Sequence, residues 1–187
     1  MGKGSMSISE NLQRVYTEIT QLAQQKTGQA PRVFHDSDWP SPCEIPNSVE
    51  NDSVAWQQVA QNGNMQGLEK ALETQFPVAL QAYFGSFYSD NLFASYQEHN
   101  LCLLQAWSEQ DFDRLQQNIT GHVLMKRRLK QADTVFFATC EEDDLLLVMK
   151  LEDASIWLEY LGKEPHHKLA DSMEAFLADC SGLYYAQ

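Results

Sequence analysis

The sequence is short of positive charge. Thirteen lysines and arginines stand against 26 aspartates and glutamates, a formal charge of −13 over 187 residues. A nucleic-acid binder needs a basic footprint to meet phosphate, so that class is excluded, and insertion into anionic lipid is disfavoured for the same reason. Long hydrophobic runs are missing as well. The longest purely aliphatic run, Leu145 to Met149, is five residues, far below the roughly 20 that a membrane-spanning helix needs. Cysteine is sparse: Cys43, Cys102, Cys140 and Cys180 form no CxxC pair and no Cys–His group with zinc spacing. They read as structural thiols in a reduced, cytosolic chain. GxGxxG, the phosphate-binding loop, GxSxG and HExxH are all absent, so the common nucleotide, hydrolase and zinc-protease signatures are excluded. A protein that is not an enzyme, with no cofactor and no bound metal, is the expectation.

What is there suits an ordinary globular chain. The apolar fraction of 43% is too high for an acidic disordered chain. A chain of this length buries roughly 70% of its extended surface, so it needs no disulfide or metal staple. Met1-Gly2-Lys3-Gly4-Ser5 reads as an expression scar before a native start at Met6. Residues 6–187 are expected to form a single domain: an N-terminal helix and an ordered loop over 6–64, packed on an α+β core over 65–180.

The periodicities fill in this plan. Leu12, Val15, Tyr16, Ile19, Leu22 and Ala23 repeat at three and four, which predicts a helix capped by Ser9 and stopped by Gly28. Residues 29–64 hold four of the six prolines, together with Trp39 and Trp56, and read as an irregular segment that the tryptophans keep ordered. Leu68, Ala71 and Leu72 predict a short helix. Phe76-Pro77 breaks it, and Val78, Leu80, Tyr83 and Phe84 restart it as far as Gly85. Leu92–Gln97 and Leu101–Ala106 read as a hairpin around Glu98-His99-Asn100. Ser108-Glu109-Gln110-Asp111 resembles a capping box with Asp in the place of Glu or Gln. It opens a helix with Phe112, Leu115, Ile119, Val123 and Leu129 inward, and with Lys126, Arg127, Arg128 and Lys130 suited to its C-terminal dipole. Thr134–Cys140, Leu145–Leu151 and Ile156–Leu161 read as strands with hairpin-length connectors, and His166–Cys180 as a closing helix. This order predicts an α+β fold, a mixed or antiparallel sheet backed by helices.

Chemistry is harder to find. His166-His167 is a poor metal pair, because adjacent residues face different directions, and a solvated loop is expected there. Asp36-Ser37-Asp38 has Mg²⁺-like spacing but no phosphate cradle beside it, and His122 is expected to be a satisfied, half-buried histidine. The acidic run Glu141-Glu142-Asp143-Asp144 has two readings. One is a hairpin tip that discourages edge pairing; the other is one wall of an anionic surface. Over Asp133 to Glu164 nine acids face two bases, and Glu109, Asp111 and Asp113 enlarge that field. Such a surface steers a basic peptide with salt-sensitive kinetics. Trp39 and Trp107 sit at element edges, which suits either a core role or an aromatic anchor beside the acidic rim.

Several blocks occur in a telling order: Ser41-Pro42-Cys43, Trp56-Gln57, Trp107-Ser108-Glu109-x-Asp111-Phe112, Gly121-His122, Arg128-Leu129-Lys130, Ala138-Thr139 followed by Glu141-Glu142, and Leu161-Gly162. In order, spacing and total length the chain resembles Syd, the SecY-interacting protein family of gammaproteobacteria, from about Leu12 to Leu177. Leu68-Glu69-x-Ala71-Leu72 ending in Phe76-Pro77, and Leu169-Ala170-x-Ser172-x-x-x-Phe176-Leu177, are similar to the wider SUKH superfamily. That resemblance implies a SUKH-type α+β domain with a mixed or antiparallel sheet backed by helices. The resemblance to Syd implies a binding protein, peripheral at the cytoplasmic face of the bacterial inner membrane, and a monomer is expected. Such a protein docks on the basic cytosolic loops of the SecY channel subunit through a concave acidic surface, and it monitors translocon assembly and SecA engagement. Positive cytosolic loops are what the positive-inside rule leads one to expect. The site expected here comprises Glu109, Asp111, Glu141, Glu142 and Asp143, with Trp39 and Trp107 near the rim. The alternative function is that of a SUKH-type immunity protein occluding a basic toxin active site. A metal-dependent hydrolase would rest only on scattered His and Asp residues.

Overall fold

The computed structural model describes residues 5–186, so 1–4 of the expression scar expected over residues 1–5 lie outside the described residues. The first helix, α1 (Ile8–Thr27), is closed at its start by Ser7: the Ser7 hydroxyl accepts the Glu10 N–H at 3.2 Å, and the Glu10 carboxylate accepts the Ser7 N–H at 2.7 Å. This corrects the expected cap at Ser9. A capping box needs its acid three residues after the cap; Glu10 stands there for Ser7, whereas Leu12 would stand there for Ser9. Gly28 ends the helix in the left-handed conformation at φ 72°. Leu12, Val15, Ile19 and Ala23 form the buried stripe.

The segment expected to be irregular carries three short strands, β1 (Arg32–Phe34), β2 (Ser53–Ala55) and β3 (Val59–Ala60). Arg32 knits the antiparallel β1–β2 pair together: its guanidinium donates to Ser53 Oγ at 2.8 Å and to the Ser48 carbonyl at 2.6 Å. Trp56 is 2% exposed and stacks obliquely on Tyr16, so this segment joins the main core. Helices α2 (Gln66–Leu72) and α3 (Val78–Gly85) follow. Ala71 and Val78 are exposed, contrary to the predicted stripe, because the core side is already filled by Leu68, Leu72, Leu80, Tyr83 and Phe84.

Strand β4 (Phe87–Tyr88) pairs with β3, and β5 (Leu92–Tyr96) and β6 (His99–Leu103) form the predicted hairpin. Its turn is tighter than expected, with Gln97 at φ 51° between paired Tyr96 and His99. Helix α4 (Glu109–Arg128) is followed by β7 (Thr134–Cys140), β8 (Leu145–Lys150) and β9 (Ile156–Tyr160), close to the strands predicted there. The closing helix shrinks to α5 (Met173–Ala178), preceded by β10 (His167–Ala170) and followed by β11 (Ser181–Gly182). The correction has a simple cause: β9 would otherwise present an open edge, and residues 167–170 fill it.

The seven-stranded sheet has the order β10-β9-β8-β7-β6-β5-β11, and every pair in it is antiparallel. Its two faces are both used. On the inner face Phe137 meets Tyr83 of α3 and Phe176 of α5. On the outer face Phe136 meets His122 of α4. A bulge between Phe136 and Ala138 lets Phe137 and Ala138 both turn inward without changing the outer set on either side. Gly182 shows how closely α1 is seated: a Cβ there would lie 2.8 Å from the Val15 carbonyl oxygen.

Beneath the second half of α4 lies a buried polar knot. Glu159 and Lys126 both have side chains with no exposure; their charged atoms are 3.1 Å apart, and Lys126 Nζ also donates to the Lys163 carbonyl at 2.6 Å. The Thr134 hydroxyl lies 2.9 Å from Glu159 and 3.1 Å from His122 Nε2, which is itself 3.4 Å from Glu159. One expectation changes here. Lys126 stays in the last turn of α4, as its dipole suits, but turns inward, and Glu159, counted with the acidic field, is buried beneath it. Leu129, expected inward, is 48% exposed because α4 has ended by Arg128.

Candidate acidic groove

The first half of α4 borders an open groove of about 590 Å³ on the outer face of the sheet. Its floor is Phe93 from β5, Leu104 just after β6, and Phe136 from β7. One wall is α4, contributing Asp111, Arg114 and Leu115; the other is β1 and the loop after it, contributing Phe34, Asp36 and Trp39. Asp90 and Trp107 lie where chain segments enter the sheet and the helix.

The local sequence explains how the end of this groove is held. Ser108 caps α4 by accepting the Asp111 N–H at 3.1 Å. The Asp111 carboxylate does not return to Ser108, as a full capping box would; it accepts the N–H of Trp107 at 2.8 Å. The Trp107 carbonyl in turn accepts the Ser41 hydroxyl, and that hydroxyl accepts the Cys43 N–H at 2.9 Å. Trp107 packs edge-on against buried Trp56, with ring centres 6.3 Å apart. Ser41-Pro42-Cys43, Trp56-Gln57 and the Trp107–Phe112 block, far apart in sequence, are therefore one assembly.

Three carboxylates, Asp36, Asp90 and Asp111, share the groove with a single cation among the described residues, Arg114. Asp90 is half-buried, and burial pushes its carboxyl up to about 6, with the charge of Asp111 adding to the rise and a backbone hydrogen bond from Asn91 opposing it. Cys102 is held at about 11 by burial, with the Asp90 charge as a further cause, so this thiol is protonated and inert at neutral pH. Cys43 is likewise raised to about 11 and Cys180 to about 12 by burial, and all four cysteines are unpaired. The apolar rim is large for a water-facing surface: Phe34 is 69% exposed and Phe93 37%.

Of the expected site residues, the structure brings Trp39, Trp107 and Asp111 together here. Glu109 is exposed on the first turn of α4 and does not line the groove; with Asp113 it helps raise the Tyr88 phenol, after burial. Glu141, Glu142 and Asp143 sit in the β7–β8 turn past the end of β7, also outside the groove. They are exposed. Glu141 accepts the Asn100 side-chain N–H at 2.8 Å, and Glu142 accepts the Tyr160 hydroxyl at 2.6 Å, which raises that phenol. Among the described residues no group of three or more His, Cys, Asp or Glu side chains is arranged to hold a metal ion. His166 is exposed and stacks on Tyr160, and no described helix is long and apolar enough to cross a membrane.

Sequence reasoning missed Asp90, Arg114, Phe34, Phe93 and Phe136. An available signal was the Ser89-Asp90-Asn91 punctuation directly before a strand, where an acid is placed at the sheet's rim. A family model for Syd protein (SUKH-2) matches residues 9–181. The chain belongs to the Syd family. Relatives named Protein Syd include one from Pseudoalteromonas translucida, 44% identical over 92% of this chain and 97% of the relative. Another, from Alteromonas mediterranea, is 34% identical over 96% of this chain and 98% of the relative. A third, from Colwellia psychrerythraea, is 36% identical over 81% of this chain and 80% of the relative. Syd membership accords with the α+β fold, with its antiparallel sheet backed by helices.

Proposed function

We propose that this Syd-family chain is a non-enzymatic binding protein that docks on basic cytosolic loops of SecY and thereby monitors translocon assembly and SecA engagement. It would work as a monomer at the cytoplasmic face of the inner membrane, held there by the channel protein and not by lipid. The observation that carries the reading is the groove itself, where three carboxylates and one guanidinium meet the rings of Phe34, Trp39, Phe93 and Trp107. Aromatic rings give the packed anchors that dominate binding energy, and carboxylates around them select and orient a basic segment. Asp36, Asp90 and Asp111 are the proposed short-range contacts. Glu109 and the Glu141-Glu142-Asp143 turn are proposed to act at longer range, drawing a basic loop toward the groove by their field.

The test is binding to SecY-containing membranes by the wild type and by an Asp36→Asn, Asp90→Asn, Asp111→Asn triple variant. The side-chain amide placed at position 111 still has a carbonyl oxygen to accept the Trp107 N–H, so the groove keeps its shape. The expected result is at least about tenfold weaker binding at low salt, and wild-type affinity that falls as salt rises. Full affinity in a folded triple variant would remove the groove from the reading, and salt-independent wild-type binding would remove the electrostatics.

A further inference from the structure

Arg114 is the one cation lining the groove among the described residues, and its position is informative. Its guanidinium carbon lies 5.3 Å from the centre of the Trp39 ring, and its Nε lies 3.9 Å from Asp111 Oδ1. The side chain remains 66% exposed. Both contacts are therefore of the loose, solvated kind that contributes little to stability. The chain nevertheless holds a guanidinium over an indole, beside a carboxylate, at the mouth of an aromatic-lined cavity. This is an internal sample of the ligand chemistry the surface accepts. Asp90 is the third corner of the same cavity, and its carboxyl is raised by burial and by the Asp111 charge with no cation opposing the rise.

We propose that the groove seats an arginine side chain of the partner on the Trp39 ring and between the carboxylates of Asp90 and Asp111, and that Arg114 occupies the Trp39 and Asp111 side of this seat in the free protein. The inference rests on the reading that a basic segment binds here, and adds which residue is read and what it displaces. Arginine fits where lysine does not. Its planar guanidinium stacks on an indole and offers parallel N–H groups to two carboxylates, while an ammonium is a strongly hydrated point charge. Arg114 covers the ring and partly neutralises Asp111 until a better placed guanidinium arrives, after which its long stem swings into solvent. A purely structural Arg114, one needed to hold Trp39 in place, makes the opposite prediction for its removal.

The experiment titrates the full chain with two short blocked peptides, Gly-Arg-Arg-Gly and Gly-Lys-Lys-Gly, and follows the Trp39 indole N–H by NMR, with the rest of the spectrum reporting the fold. The arginine peptide is expected to bind at least about threefold tighter than the lysine peptide. Arg114→Gln is expected to tighten arginine-peptide binding about threefold to tenfold, with Arg114→Lys falling between it and the wild type. Asp90→Asn is expected to weaken it about tenfold. Equal affinity for the two peptides, or an Arg114→Gln variant that binds no better than wild type, overturns the inference. If neither peptide binds while SecY-containing membranes do, the arginine seat falls and the docking function stands. If the wild type ignores those membranes as well, the docking function falls with it.

Discussion

The two halves of α4 carry the same kinds of charge in opposite surroundings. Near its start, Asp111 and Arg114 lie 3.9 Å apart in an open groove, with the arginine mostly in water. Near its end, Lys126 meets Glu159 at 3.1 Å with both side chains fully enclosed, and Thr134 and Lys163 complete the hydrogen bonding. The dry pair cannot exchange partners without exposing an unmatched buried charge, which is costly. The wet pair can exchange at almost no cost. One helix therefore has a fixed end that locks it to the sheet and an exchangeable end that faces the groove. Counting charges along the sequence does not separate them; their surroundings do.

The dry end should show the largest effect. Lys126→Met leaves Glu159 buried without its cation and is expected to destabilise the fold by about 3–5 kcal/mol, as measured by urea denaturation. A loss below about 1 kcal/mol would mean that the helix can move and let water reach Glu159. Asp90 tests the groove end, and with the opposite sign. Its carboxyl titrates near pH 6 in the folded chain, above the usual value of about 3.9 for an unfolded aspartate. Between these values the native state binds the additional proton, so this residue makes the fold more stable as pH falls from about 7 toward 4. Asp90→Asn should remove that slope and stabilise the chain at neutral pH by about 1 kcal/mol while weakening partner binding. Groups that face Asp90 electrostatically, Asp111, Cys43 and Cys102, remain in the variant, so loss of the slope identifies Asp90 itself. The smallest effect belongs to the exposed turn. Glu141→Gln with Glu142→Gln is expected to change stability by no more than about 0.5 kcal/mol and to slow partner association at low salt, as read by stopped-flow mixing.

Much of the scaffold was legible. Thr134–Cys140, Leu145–Leu151 and Ile156–Leu161 were readable as strands because dense β-formers are separated by connectors too short for a crossover. Ser108 was readable as a cap because an apolar helical stripe follows it. The closing segment misled because Leu169, Met173, Phe176 and Leu177 have helical spacing, yet Leu169 belongs to an edge strand that pairing with β9 holds extended. The burial of Lys126 left no local trace, because lysine is almost always solvated and only tertiary contacts reveal a carboxylate waiting under the helix. The groove was partly legible. Trp39, Trp107 and Asp111 stood out as edge aromatics beside an acidic helix start. Asp90 and Phe34 did not, because the cavity is assembled from segments dozens of residues apart, and no local pattern registers a shared wall. The acidic turn attracted attention for the opposite reason: four adjacent carboxylates are conspicuous in sequence, although in space they stand apart from the groove.

The extra residue in β7 has a consequence for how tightly these regions are coupled. Strand side chains alternate, so parity decides which face each one serves. Thr134 and Phe136 point to the outer face by one parity and Thr139 by the other; Phe137 is the residue at which the parity changes. Deleting it would leave a regular strand in which Thr134, Phe136 and Thr139 all still face outward. Only the inner face would lose a side chain, the ring that meets Tyr83 and Phe176. Phe137 is thus a spare inward position, which lets a single strand change its inner packing without re-aiming its outer face.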